Sequence, residues 1–382
     1  MKRSLNLLRE FSIPLISGVV VALVWANFDL QGYQQFISSP ILGGPSFHFI
    51  ANELFMVLFF GIAAVEITQS FQPGGDLSPW SRAVNPLMGT LGGVVGPVAV
   101  YLLLNAVIGA PQLRNGWGIP TATDIALAWL AARAVFGASH PAVSYLLLLA
   151  VADDAIGLAI IALFYPNPHL PVEPVWLLLT LAGMGVAWGL RTLRRTSYWP
   201  YLMLGGAMSW TGLFKAHLHP ALALVFIIPF LPASPSEKRH IFEDDPADYS
   251  TLARFEHEWK VVVDFGLFIF SLANAGVRFS SMGPVTVLVL ASLLAGKTGG
   301  IFLAGRLAAR FGFPLPQGMG SRELLTLAMI AGTGFTVALF VAGEAFVDPV
   351  VAGAAKMGAI LSLAAAFGGV VLGKLLGVVK KN

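Results

Sequence analysis

The sequence predicts an all-α membrane protein of about twelve transmembrane helices. Three observations predict it. Of 382 residues, 56% are hydrophobic and only 11% charged, and the mean hydropathy is +0.77; a soluble domain carries roughly 25% charged residues. Apolar runs long enough to cross a bilayer, about 20 residues each, recur along the whole chain. No period-2 alternation recurs, and a sheet that does not close into a barrel leaves backbone groups unsatisfied in hydrocarbon, so the runs are read as helices. The same composition excludes other classes. A net charge of +3 with no basic cluster offers nothing to nucleic acid, and the absence of cysteine removes disulfides, thiolate metal sites and thiol catalysis. No stretch is long enough for a soluble enzymatic domain, and no cofactor is expected.

The runs fall near 11–28, 50–69, 84–108, 117–135, 141–165, 174–192, 199–214, 216–232, 260–278, 284–308, 322–343 and 351–375. The first has the basic leader of a signal peptide, but Glu10 sits in that leader and no small-x-small site closes the run, so it is expected to stay as span one. Spans seven and eight are short and tightly joined. Orientation follows from lysine and arginine, which collect on the cytoplasmic side. With the N-terminus inside, only Arg114, Lys215 and Arg278 face outward, Lys297 and Lys356 lie in or at the ends of spans, and the rest of the 23 basic residues are cytoplasmic. Both termini are therefore expected in the cytoplasm. The longest polar stretch, 233–259, is then a cytoplasmic loop, read either as a solvated linker or as a proton-responsive patch carrying Glu256 and His257.

Span five carries two adjacent acids, Asp153 and Asp154, near the middle of an apolar run. One carboxylate at mid-bilayer costs about 3 kcal/mol on insertion scales, and two together cost more because like charges oppose each other. The simplest use for such a pair is to bind a cation that crosses the membrane. Span four contains Gly118-Ile119-Pro120-Thr121-Ala122-Thr123-Asp124. Pro120 removes a backbone donor and disfavours helix before it, so this is either an interrupted helix or a kinked one with Asp124 as a cap. Span eleven contains Gly332-Thr333-Gly334-Phe335-Thr336, a second candidate for unwound chain. Two interrupted segments in corresponding positions of two halves point to a transporter's binding site. The halves are expected at about 84–165 and 284–375, as inverted repeats. Span ten places Lys297 too deep to reach the interface easily, so its ammonium needs a counter-charge among Asp153, Asp154 and Asp124 or must lose its proton; the alternative is a lysine capping a helix end near the interface.

Other polar residues have blander readings. Asp264 is expected at a cytoplasmic helix end, Asn274 as an interhelical hydrogen bond, and Glu53 and Glu66 near the membrane interfaces. His217 and His219 are expected in an interfacial turn, and Glu344 and Lys356 in solvent.

The motifs Thr121-Ala122-Thr123-Asp124-Ile125-Ala126, Ala152-Asp153-Asp154-Ala155-Ile156-Gly157, Ala273-Asn274-Ala275-Gly276-Val277, Gly296-Lys297-Thr298-Gly299 and Gly332-Thr333-Gly334-Phe335-Thr336 resemble, in order and placement, those of the NhaA-type bacterial sodium/proton antiporters. These are themselves a known case of the inverted-repeat architecture. The resemblance runs from about residue 11 to 375. It implies twelve helices with spans four and eleven broken and crossing at mid-membrane. It implies Asp154 as the main sodium ligand, Asp153 as a proton carrier paired with Lys297 and as a second ligand, and Asp124 and Thr123 at the span-four break. Half-helix N-termini meeting at such a crossing carry partial positive charge and C-termini partial negative charge, so Asp124 suits the first and Lys297 the second. The chain departs from the family pattern at Val65-Glu66-Ile67-Thr68-Gln69-Ser70, in the short connection between spans one and two, and around Glu256-His257-Glu258. Those regions bear on pH regulation, with Glu66, Glu256 and His257 as candidate sensors, and on whether the protein is a homodimer. The expected activity is export of sodium, with lithium as an alternative ion, in exchange for protons by alternating access. The competing readings are a cation channel, a carrier for another coupled solute, and an intramembrane aspartyl protease. The last needs acids on facing helices, whereas these lie about 100° apart on one.

Overall fold

The computed structural model describes residues 12–72, 80–166, 170–233 and 250–378. Apart from an isolated bridge between Pro40 and Ser46, the regular structure among these residues is helical. In chain order the main helices are α1 (Ile13–Phe28), α2 (Leu30–Ser38), α3 (Phe47–Ser70), α4 (Trp80–Ile108), α5 (Pro111–Thr121, a 3-10 helix), α6 (Ile125–Phe136), α7 (Pro141–Phe164) and α8 (Pro174–Thr192). They continue as α9 (201–215), α10 (Pro220–Phe230), α11 (Thr251–Asn274), α12 (Pro284–Arg310), α13 (Ser321–Ala331), α14 (Phe335–Ala345) and α15 (Pro349–Leu375). Six are long and apolar enough to cross a membrane, and the bent pairs α5/α6 and α13/α14 raise this to eight. Each of the twelve runs expected from sequence is occupied by helix; α1, α9 and α10 are short, and α11 carries charge along its first half. The acidic segment of the long polar loop, 243–248, lies outside the described residues.

The chain forms two compact units, one of residues 1–75 and 158–276 and the other of 76–157 and 277–382. In the first, α2 is a surprise from the connection read as a short loop. Its Tyr33 is buried, and the hydroxyl donates to Leu272 O at 2.7 Å and accepts from Gly276 N at 3.2 Å. Burial pushes the Tyr33 hydroxyl's pKa up, so it stays a neutral donor at the end of α11. Asn274 bonds Asn52 of α3 at 2.7 Å, the interhelical role expected of it.

In the second unit, α4 and α12 approach so closely that only glycine fits between them. A Cβ on Gly96 would lie 2.9 Å from Gly300 Cα, and one on Gly296 would lie 2.7 Å from Pro97 Cα. Small residues at such contacts let helix backbones pack by dispersion where no hydrophobic force acts between them. Asn85 locks the same pair, donating to Gly305 O at 3.1 Å and Phe313 O at 2.6 Å while the Tyr145 hydroxyl of α7 donates to its side-chain oxygen at 2.9 Å. This frame carries Lys297 on α12 and the two acids on α7.

Candidate functional site: two broken helices and a buried ion pair

The helix α5 ends where Pro120 leaves helical geometry (φ −85°, ψ 18°), and Ala122 is extended (φ −93°, ψ 155°). The chain resumes helix at Ile125 after a 55° bend. The second break runs through Gly332, Thr333 and Gly334 between α13 and α14, with a 45° bend. Both breaks fall where the sequence places them. Their freed backbone groups satisfy each other: Asp124 N donates to Thr333 O at 2.7 Å.

Asp124 serves two helix N-termini at once. Its Oδ1 accepts from Leu127 N at 3.1 Å, capping α6. Its Oδ2 accepts from Thr336 N at 3.2 Å and from the Thr336 hydroxyl, at the start of α14. A carboxylate answers the partial positive charge at both ends. The cap and the broken-helix role, alternatives in the sequence, are therefore one contact.

Lys297 meets the opposite pole of the first break. Its ammonium donates to Asp153 and to Thr121 O at 2.6 Å, at the C-terminal end of α5. Lys297 and Asp153 are both fully buried, with 0% of each side chain exposed. Of the three acids open as its partner, Asp153 holds the ion pair. Lys297 ends a π-turn, Ser292–Lys297, which the sequence pattern does not reveal; such widened turns recur at functional sites.

Thr123 bridges the acid pair to the second break. Its hydroxyl lies 2.8 Å from Asp153 Oδ2 and 2.9 Å from Ala331 O, the end of α13, with one proton to give to either. Asp154 is buried beside Asp153 on α7. Pro120, Gly332, Gly334 and Thr336 shape the two breaks, and Gly334 N donates to Ser362 Oγ of α15 at 3.3 Å. A Cβ on Gly334 would come within 2.9 Å of Ala122 O, so the crossing itself demands glycine. The set can hold a cation on carboxylate and hydroxyl oxygens, and can trade it for protons on the same carboxylates.

The candidate pH-sensing residues lie in the other unit. Glu66 of α3 stands 3.9 Å from Lys260 Nζ, and Glu256 stands 3.7 Å from it on the same face of α11. Gln69 donates to Glu256 Oε2 at 2.9 Å. Glu66 is only 11% exposed. His257 is exposed. His219, expected at an interface, is buried and bonds the Tyr165 carbonyl. Glu344 and Lys356 are half-buried rather than solvated.

A model of the Na+/H+ antiporter 1 family matches residues 3–379. The chain is 72% identical over 380 residues to an antiporter of Pelobacter propionicus described as Na(+)/H(+) antiporter NhaA 2, covering all of both proteins. It is 68% identical over 378 residues to Na(+)/H(+) antiporter NhaA of Geobacter sulfurreducens, covering 99% of each. The solved sodium proton antiporter MjNhaP1 of Methanocaldococcus jannaschii is a more distant likeness, at 15% identity and a TM-score of 0.49 over 95% of this chain and 99% of that one.

Proposed function

Since the chain belongs to the Na+/H+ antiporter 1 family, we propose that it exchanges its two ions at the crossing of α5/α6 with α13/α14. The protein is a sodium/proton antiporter and a multi-pass membrane protein, a transporter rather than an enzyme. Asp154 is the principal sodium ligand. Asp153 alternates between its bond to Lys297 and a proton, and Thr123 supplies a hydroxyl oxygen. Asp124 holds the two half-helix N-termini in place. Sodium takes oxygen ligands as other hard cations do, and a protonated carboxyl cannot serve it. The ions therefore compete for one set of oxygens, and competition with alternating access produces exchange. The observation that carries this reading is the fully buried Lys297–Asp153 pair beside Asp154, at two breaks whose half-helix N-termini are answered by Asp124 and the first of whose C-terminal ends is answered by Lys297.

The cycle exports sodium. If two protons enter for each sodium that leaves, the membrane potential contributes about 2.3 kcal/mol per 100 mV, and each pH unit adds about 1.4 kcal/mol per proton. The halves at about 84–165 and 284–375 are inverted repeats. The lysine and arginine distribution supports cytoplasmic termini in a bacterial inner membrane. The Glu66–Lys260–Glu256 cluster sets the pH at which exchange begins. The test is proton flux in vesicles on addition of sodium. Asp154→Ala and Asp153→Ala each abolish it; normal exchange in either overturns the assignment.

A further inference from the structure

We propose that Thr333 is a further cation-coordinating residue of this exchanger, its hydroxyl supplying a neutral oxygen ligand to sodium at the crossing. The inference rests on the reading of Asp154 as principal sodium ligand and adds a residue from the second break.

Thr333 is 0% exposed, and its hydroxyl has no hydrogen-bond partner among the described residues. The other buried hydroxyls of the same unit each have an acceptor. Thr121 donates to Gly118 O, Ser292 to Leu288 O, Thr326 to Arg322 O, Ser362 to Ala359 O, and Thr336 to Asp124. A threonine within regular helix satisfies its hydroxyl on the carbonyl one turn back. Thr333 sits in the unwound break.

Its surroundings point to a cation. Thr333 O accepts from Asp124 N at 2.7 Å, and two residues earlier Ala331 O lies 2.9 Å from the Thr123 hydroxyl. Thr333 is thus bracketed by contacts to Thr123 and Asp124, the residues that lead from the first break to Asp153. Asp153 Oδ1, in the same unit, is a second buried oxygen with no hydrogen-bond partner among the described residues. An unsatisfied buried hydroxyl costs about 1 to 3 kcal/mol, and valine would fill the same space without that cost. A bound cation satisfies the hydroxyl oxygen directly. The ligand is neutral, so it strengthens sodium binding without joining the competition for protons.

The experiment uses the full chain purified in detergent, with melting temperature measured without sodium and across a sodium titration, and exchange measured in vesicles. A cation that binds the folded state stabilises it by RT ln(1 + L/Kd), with L the free cation concentration, so the melting temperature rises with the logarithm of sodium over its Kd. Thr333→Val is expected to melt no lower than the parent without sodium and to need about tenfold more sodium for the same rise in melting temperature. Its KM for sodium should increase about tenfold, a factor worth about 1.4 kcal/mol, and more than its maximal rate falls. Thr333→Ser should retain both the rise and the KM. A parental sodium response in Thr333→Val overturns the inference. So does loss of stability without sodium that Thr333→Ser fails to rescue, since that marks a packing role. Should the valine variant not fold, Thr333→Ala is read in the same way. Asp154→Asn separates the two levels. If it keeps the sodium-induced rise, the reading of Asp154 fails and the inference with it. If it loses the rise while Thr333→Val keeps the parental sodium response, only the inference about Thr333 fails.

Discussion

Two lysines of this chain meet carboxylates inside largely apolar helices, and they do so differently. Lys297 and Asp153 are both 0% exposed and joined by a hydrogen-bonded ion pair, with Thr121 O and the Thr123 hydroxyl completing the contacts. Lys260 is 13% exposed and is divided between Glu66 at 3.9 Å and Glu256 at 3.7 Å, beyond hydrogen-bond distance from both. The first pair is a fixed, fully buried contact and is either made or broken. The second is a loose three-way arrangement in which charge is shared by degrees. All-or-none exchange at a binding site calls for the first kind of contact. Gradual adjustment of activity calls for the second.

The largest expected effect tests the fixed pair. Removing one partner of a buried ion pair leaves an uncompensated charge and costs about 3 to 5 kcal/mol. Lys297→Ala should therefore lower the melting temperature in detergent strongly and stop normal exchange. Adding Asp153→Ala should restore much of the stability, because no charge is then left alone, while exchange stays lost. If Lys297→Ala melts like the parent, the pair is not the fixed contact described here.

Asp124 comes next. Asparagine caps a helix nearly as well as aspartate, so Asp124→Asn keeps the bond to Leu127 N, but its amide nitrogen cannot accept from Thr336 N, and the charge facing two helix N-termini is lost. The expected loss is about 1 to 2 kcal/mol. Asp124→Ala, which also loses the capping bond to Leu127 N, should cost more. Equal melting temperatures for the two variants would show that this cap adds nothing and that the charge and the bonds to Thr336 hold the breaks together.

Much of this site is legible in sequence because its cost is legible. Adjacent acids, a deep lysine, and proline or glycine pairs inside apolar runs are each expensive in a membrane, and each stands out as a violation. What tied them together is less visible. The choice of Asp153 for Lys297, which ends a π-turn at Ser292–Lys297, is not marked by composition. Glu66 and Glu256 are joined through Lys260, and Gln69 reaches Glu256 from 187 residues away; nothing local announces that meeting. Tyr33 reads as one aromatic residue in a loop, yet it holds the end of α11. Thr333 looks like any threonine in a glycine-rich stretch until the hydrogen bonds around it are counted. Expense is local and can be read along the chain; compensation is made by distant residues and has to be seen in the fold.

The frame behind the fixed pair gives a third test, of similar or smaller size. Gly300→Ala puts a methyl group against the Gly92 and Gly96 backbone, where overpacking costs about 1 to 3 kcal/mol and displaces α12. Gly299 is the control, since a Cβ there meets nothing within 4 Å. Alanine at 299 should be neutral or slightly stabilising, because it reduces backbone freedom in the unfolded chain. Exchange should fall in the first variant and persist in the second. If both behave alike, the close approach of α4 and α12 does not position Lys297.

The smallest effect is expected at Lys260, and it decides whether the two lysines really differ. Partly exposed pairs are worth about 0.2 to 1 kcal/mol in double-mutant cycles. Lys260→Ala, Glu66→Gln and their combination should give a coupling energy in that range, with melting temperatures close to the parent. Glu256→Gln should take up part of the same coupling, because one ammonium serves both carboxylates. The cycle through Lys297 and Asp153 should give several times as much. Exchange should survive in Lys260→Ala with its dependence on pH altered. A coupling at Lys260 as large as that at Lys297 would mean that this arrangement too is a fixed contact. The distinction between a switch at the crossing and a graded control in the other unit would then have to be abandoned.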